Sequence, residues 1–265
     1  MQTILEVSHV TKSFHEHGGR TFRAVDDISL TVETGECVGI VGESGSGKST
    51  LARIITRLIQ PDSGSVTLCG TELTAIKGSA LRAAYRDMKM IFQEPRSSFD
   101  PRLTLGESLN DALKAIVPGR VQRTAKAEEL MERVGLDVHY LRLYPTQVSG
   151  GECQRAAIAR AIAQKPRLLI CDEATSALDV SVQAQIVGLL NDIRRESRLS
   201  LLFISHDLAL VSSFCGRTYV LHDGKVVEQG ATDQIIHAPV HSYTKRLVNS
   251  VLIQRSLCHV DAGTN

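Results

Sequence analysis

The feature that most constrains this chain is an eight-residue loop, Gly42-Glu43-Ser44-Gly45-Ser46-Gly47-Lys48-Ser49, set between the apolar run Cys37-Val38-Gly39-Ile40-Val41 and the segment Thr50-Leu51-Ala52-Arg53-Ile54-Ile55. The order is strand, glycine-rich loop, helix. Glycines let successive backbone N–H groups turn toward one anion, a lysine adds a point charge toward the β- and γ-phosphates of a nucleotide, and the following hydroxyl can ligate Mg²⁺. Leu51, Ile54, Ile55, Leu58 and Ile59 are expected on one face of the helix that follows.

At 265 residues the chain holds one large α/β domain or two small ones, and its 43% apolar and 22% charged residues are those of a globular protein. A net charge of +1 leaves no electrostatic footprint for nucleic acid. The six cysteines form no C-x-x-C pair and several sit in apolar runs, so a reduced, cytosolic chain is expected. The first residues alternate like a strand and lack the features of a signal peptide, and the longest apolar runs fall far short of the ~20 residues of a membrane helix. If the protein works at a membrane, another chain spans it.

Short strands are expected at 4–7, 24–32, 36–41, 65–68 and 88–92, with a turn at 15–19. From Pro95 to Pro145 the character becomes charged and helical, clearest at 123–134. Strand and helix then alternate from 167 to 226. Lys48 and Asp172 stand 124 positions apart, more than one βαβ unit uses, so a helical subdomain is expected to interrupt the nucleotide-binding core. Apolar strands without polar alternation point to a parallel sheet covered on both faces.

Leu168-Leu169-Ile170-Cys171 ends abruptly in Asp172-Glu173, the way a buried strand delivers carboxylates to the sheet edge where ligands bind. There Asp172 suits Mg²⁺ and Glu173 suits accepting a proton from an attacking water; a helix N-terminus with favourable charges is the plainer reading. Leu201 to Ser205 repeats the device and ends in His206, placed for the γ-phosphate or the water. Phe92-Gln93-Glu94-Pro95 is a third strand end, whose Gln93 amide can reach Mg²⁺ or water. Val148-Ser149-Gly150-Gly151-Glu152 opens a helix running through Cys153 to Gln164, and two readings compete for it. Ser149 and Glu152 form an S-x-x-E capping box, or the glycines and helix N-terminus form a second anion site with Ser149 donating to phosphate. The two uses are expected to exclude one another in part. A second such terminus suggests a nucleotide shared between two chains.

Together these residues resemble the nucleotide-binding subunits of ABC transporters over nearly the whole chain. On that resemblance Gly42 to Ser49, with Thr50 behind it, is Walker A and Gln93 the Q-loop. Ser149-Gly150-Gly151 with Glu152 is the signature, Leu168 to Asp172 Walker B, Glu173 the catalytic glutamate, Asp179 part of the D-loop Ser176 to Asp179, and His206 the switch histidine. Phe14 falls where the family stacks an aromatic on adenine, though a lone Phe near a strand end could equally be core. The fold implied is a P-loop NTPase α/β core, a mostly parallel sheet flanked by helices, with an N-terminal antiparallel β subdomain and an inserted helical subdomain. The expected division is 1–94 and 165–240 for the core with its β subdomain, 95–164 for the helical part with the signature, and 241–265 for a short tail.

The segments Val41 to Arg53, Arg96 to Arg102, Ser176 to Gln185 and Pro239 to Lys245 are similar to the oligopeptide, dipeptide and nickel importer branch. The short tail is nearer the nickel type, and Cys258 alone cannot supply the iron–sulfur segment of longer relatives. The resemblance implies ATP and Mg²⁺ and a position on the cytoplasmic face of the membrane. The partners implied are a second, homologous ATPase chain, two membrane-spanning permease subunits and an extracytoplasmic solute-binding protein, with no nucleic acid. The alternatives are a non-transport ABC ATPase and a degenerate ATP-binding regulatory partner; intact Glu173 and His206 argue against the second. The signature departs from the family's Leu-Ser-Gly-Gly-Gln by ending in Glu152, an ionisable group near phosphate. Turned back into the capping box it would be harmless; slower turnover than a Gln version is the expectation.

Overall fold

The computed structural model describes residues 2–15 and 21–250, so of the turn expected at 15–19 only His15 is described, as a strand residue, and residues 16–19 and Cys258 lie outside the described residues. The chain divides into two compact units, 1–75 with 202–265, and 76–201. The first opens on a hairpin, β1 (Thr3–His15) and β2 (Thr21–Glu33), antiparallel and in register at Val7↔Leu30 and Phe14↔Phe22. β1 has 13 residues, about three times the four expected at 4–7. His9 (φ 53°) and Asp27 (φ 56°) are left-handed, and the register shifts between Val7 and Val10. That bulge breaks the period-2 pattern, so hydrophobicity alone loses the strand at Ser8. The His9 Nδ1 and Asp27 Oδ1 atoms pair at 2.8 Å beside it.

β3 (Cys37–Val41) is buried at every position and leads through the glycine loop into α1 (Lys48–Ile55). The helix stops earlier than its apolar pattern suggests. Arg57 turns left-handed (φ 58°) and its Nε donates to the Leu73 carbonyl, which leaves Leu58 57% exposed and Ile59 beyond the helix. Of the five apolar residues expected on one face, Leu51, Ile54 and Ile55 are buried on the helix, together with Ala52. β4 (Ser63–Leu68) pairs antiparallel with β1 and with the two-residue β5 (Thr71–Glu72).

The second unit starts with α2 (Gly78–Ala84) and β6 (Met88–Ile91), then α3 (Leu105–Leu113), α4 (Arg120–Arg133) and α5 (Gly150–Ile162). Thr104 and Glu107 cap α3 reciprocally. α3, α4 and α5 pack on one another, and their Leu105, Leu109, Leu113, Leu130, Met131 and Ile158 are all buried. β7 (Leu168–Asp172) runs parallel to β6, Met88↔Leu168 through Ile91↔Cys171, and is buried throughout. α6 (Val180–Ser197) follows and ends on left-handed Arg198.

β8 (Ser200–Ser205) begins at the division and carries the chain back into the first unit, followed by α7 (Leu208–Ser212). β9 (Arg217–His222) lies parallel to β3, Val38↔Arg217 to Val41↔Val220, and antiparallel to β10 (Lys225–Ala231). α8 (Thr232–His237) precedes a helical stretch at 242–250. The strands β3, β7 and β8 are buried at every position, covered on both faces as the lack of alternation in their apolar runs requires. Cys37, Cys153, Cys171 and Cys215 are buried, the first and last with their sulfurs 3.1 Å apart.

Candidate functional site

In the first unit the glycine loop is closed on itself by its own lysine. Lys48, the first residue of α1 and 4% exposed, donates from Nζ to the carbonyls of Gly42 and Glu43, 2.8 Å each. Ser46 N–H donates to Glu43 O at 3.2 Å, and Ser46 O accepts from Gly224 N–H. Two glycines are sterically required. A Cβ on Gly42 would lie 2.2 Å from the Leu221 carbonyl, and one on Gly47 2.2 Å from the Ala24 carbonyl, where the backbone is also left-handed (φ 100°). Gly45 (φ 85°) has open space around its Cβ position. No side chain caps α1 and its first turn carries no acidic residue, so the positive end of the helix is not neutralised from within. Ser44 is exposed, and Ser49 and Thr50 are half-buried in the first helical turn.

His206 is exposed and set by its neighbours. Asp207 N–H donates to Ser205 Oγ (2.9 Å), while Asp207 Oδ1 accepts from the N–H groups of Ala209 and Leu210 and caps α7. A buried strand end and a helix cap thus fix the one residue between them. Phe14 is 39% exposed, opposite Phe22 across the hairpin, with the Lys12 ammonium 5.7 Å from its ring centre. It is therefore not a core residue.

In the second unit Asp172 is the last residue of β7 and 5% exposed. Glu173 has left-handed backbone (φ 48°), and its carbonyl accepts from both the N–H and the hydroxyl of Ser176. A non-glycine residue held in that region is strained and is over-determined by its surroundings. Gln183, on α6, supplies part of them: its Nε2 donates to the carbonyls of Thr175 (2.9 Å) and Leu178 (3.1 Å). Asp179 is the N-cap of α6, exposed, and makes no capping bond with its side chain.

Gln93 is exposed just beyond β6. Further along that segment Arg96 donates to the Val148 carbonyl at 2.7 Å, tying it to the approach to α5. Arg160 lies over the Phe99 ring at 4.2 Å and donates to Ser98 O.

At the N-terminus of α5 the capping box is made. Ser149 Oγ accepts from Glu152 N–H (3.3 Å) and Glu152 Oε2 accepts from Ser149 N–H (2.7 Å). The expected conflict with an anion site does not arise in full: capping uses the Ser149 oxygen as acceptor and leaves its O–H as a donor. Glu152 Oε1 accepts from the Tyr140 hydroxyl. That bond first, then the Ser149 N–H, holds the Glu152 carboxyl below its ordinary range, and Tyr140 is pushed up in return. Burial pushes the Cys153 thiol up to about 11. The structure brings this segment against the loop before α6. A Cβ on Gly150 would stand 3.3 Å from Leu178 Cδ2, and one on Gly151 2.8 Å from Val182 Cγ1. Tyr140 carries no motif by itself, and Gln183 stands in the Ser176 to Gln185 segment without a role of its own; only placement shows what the two side chains hold.

The ABC transporter family model matches residues 25–176. The chain is 45% identical over 252 residues to the probable peptide ABC transporter ATP-binding protein y4tS of Sinorhizobium fredii, covering 92% of this chain and 71% of that one. It is 42% identical over 262 residues to the oligopeptide transport ATP-binding protein OppF of Escherichia coli, covering 95% and 78%. Among solved structures, the dimeric post-hydrolysis state of the ATP-binding cassette MJ0796 with ADP and Pi superposes with a TM-score of 0.79. That match is 30% identical and covers 86% of this chain and 99% of that one.

Proposed function

The chain belongs to the ABC transporter family of ATP-hydrolysing proteins, and from that premise we propose that it powers the import of peptides. The observation that carries the reading is the closed phosphate loop, with Lys48 buried at an uncapped helix N-terminus. The names of its relatives supply the peptide.

In this reading Gly42 to Thr50 cradle the phosphates and Lys48 leaves the Gly42 and Glu43 carbonyls for the β- and γ-oxygens. Ser49, Asp172 and Gln93 would each offer an oxygen donor to Mg²⁺, the hard-ligand chemistry that ion takes, with phosphates and water completing its shell. When bound, that ion neutralises phosphate charge. Glu173 accepts the proton of a water whose oxygen bonds to the γ-phosphorus as the bond to the bridging oxygen breaks; the products are ADP and phosphate. His206 steadies the γ-phosphate, and Phe14 stacks on adenine.

Ser149, Gly150 and Gly151 serve the nucleotide of a facing ATPase chain, with Glu152 kept out of its way by the capping box and Asp179 at the shared interface. The dimeric state of MJ0796 supports that arrangement. Residues 95–164 then act as the helical subdomain, 1–94 and 165–240 as the core. Two permease subunits span the membrane, an extracytoplasmic binding protein delivers the solute, and this chain sits peripherally on the cytoplasmic face. Among the described residues no helix is long and apolar enough to cross a membrane.

The test is reconstitution with the co-purifying membrane subunits and binding protein in liposomes. Peptide-loaded binding protein is expected to raise ATP turnover and Glu173→Gln to abolish the rise. Stimulation by nickel alone, with peptides inert, would overturn the peptide reading.

A further inference from the structure

The segment Pro239 to Lys245 stands outside every role assigned above, yet it reaches the phosphate loop. Tyr243 is 2% exposed, and its hydroxyl accepts a hydrogen bond from the backbone N–H of Glu43 at 2.9 Å. The carbonyl of that same peptide group, Gly42 O, accepts from Lys48 Nζ at 2.8 Å. One peptide plane, Gly42–Glu43, is therefore held from both ends, on one side by the loop's own lysine and on the other by a residue 200 positions away.

The tail segment is itself docked. Glu228 on β10 accepts from the N–H groups of Val240 (2.8 Å) and His241 (2.9 Å), and His241 Nδ1 accepts from Tyr243 N–H (3.2 Å). The Tyr243 ring stacks on His222 at the end of β9, with centroids 3.9 Å apart and 16° between planes. The ring is thus fixed by the strand beside β3, and its hydroxyl has one place to point.

The Gly42–Glu43 peptide needs such a tie. Glycine gives it little intrinsic orientation, and the Lys48 ammonium, which must move to the phosphates when a nucleotide binds, cannot hold it in both states. We propose that Tyr243 is a positioning residue for the phosphate loop: its hydroxyl keeps the Gly42–Glu43 peptide in one orientation with and without nucleotide, so the loop amides are preorganised for phosphate. The proposal rests on the reading of Gly42 to Ser49 as an ATP site. Without the hydroxyl, binding has to order the peptide, and affinity falls.

The experiment compares the full-length chain with Tyr243→Phe, which keeps the stack, and Tyr243→Leu, which loses both contacts. A fluorescent ATP analogue measures Kd, hydrogen exchange follows the Glu43 amide, and the assembled complex gives KM and kcat. Tyr243→Phe should bind ATP about tenfold more weakly, which is about 1.4 kcal/mol. Its Glu43 amide should exchange faster, and KM should rise with kcat within about twofold. Tyr243→Leu should be at least as weak. Affinity within about twofold of the parent in either variant overturns the proposal, including when thermal stability drops. If Tyr243→Phe does not fold, the parent alone decides: a Glu43 amide that exchanges like an open loop overturns the proposal, and a protected one supports it. Failure of the parent to bind ATP would instead overturn the ATP site itself.

Discussion

Replacing Gly151 by alanine should destabilise the protein in one background and stabilise it in another. The added Cβ would lie 2.8 Å from Val182 Cγ1, short of the ~3.5–4.0 Å of a favourable carbon contact by about 1 Å. Val182 is β-branched and sits in the first turn of α6, where its χ1 is largely fixed, so the methyl cannot simply swing away. Overpacking of this kind costs about 1–3 kcal/mol. Against it stands the ordinary gain of alanine over glycine in a helix, about 0.5–1 kcal/mol. The net expectation for Gly151→Ala is a loss of about 1 kcal/mol, or roughly 2–4 °C in Tm for a chain of this size. In a Val182→Ala background the obstruction is gone, and the same substitution should raise Tm slightly. A four-protein thermal or urea unfolding cycle reads the coupling, about 1–3 kcal/mol. Equal losses in the two backgrounds would refute the contact as the reason for the glycine.

Glu173→Gln should bind ATP and lose at least about 100-fold in single-turnover hydrolysis, since general-base catalysis contributes ~10²–10⁴; rapid turnover would remove Glu173 as the base. Glu152→Gln keeps a capping-box residue and, because the Glu152 carboxylate is already turned into the box and onto Tyr140, should turn over ATP within about twofold of the parent in the assembled complex; a clearly faster rate would show that the charge still reaches the phosphates. The folded pKa of Glu152 is lowered by Tyr140 and the Ser149 N–H, so its contribution to stability is full above the unfolded value and lost as pH falls through the folded one. A Tm profile taken downward from pH 6 should therefore fall less steeply for Glu152→Gln than for the parent. Cys153, with its thiol pushed up to about 11, should resist iodoacetamide at pH 8 in the folded chain and react on unfolding, as quantified by mass spectrometry.

Local chemistry made much of the site legible. A phosphate loop is contiguous, so its glycines, Lys48 and Ser49 stand together in the sequence. β3, β7 and β8 are buried on both faces, so their apolar runs and the polar residues that end them, Asp172-Glu173 and His206, are readable without a fold. Most of β1 beyond Val7 is not legible, because a bulge at His9 puts two residues where the period allows one. α1 was overextended because Leu58 continues the helical pattern after Arg57 has left it.

The sequence by itself determined which residues make up the proposed phosphate cradle, because a run of consecutive amides is a property of a few adjacent residues. Tertiary structure alone decided what holds that cradle and its counterparts in place. Tyr243 reaches Glu43 across 200 positions, Tyr140 turns Glu152 away, Gln183 pins the turn after Glu173, and Val182 crowds the Cβ position of Gly151. These are single contacts between residues of ordinary type, and nothing in spacing or periodicity marks them. Their meaning comes from packing, which brings together groups that covalent order keeps apart.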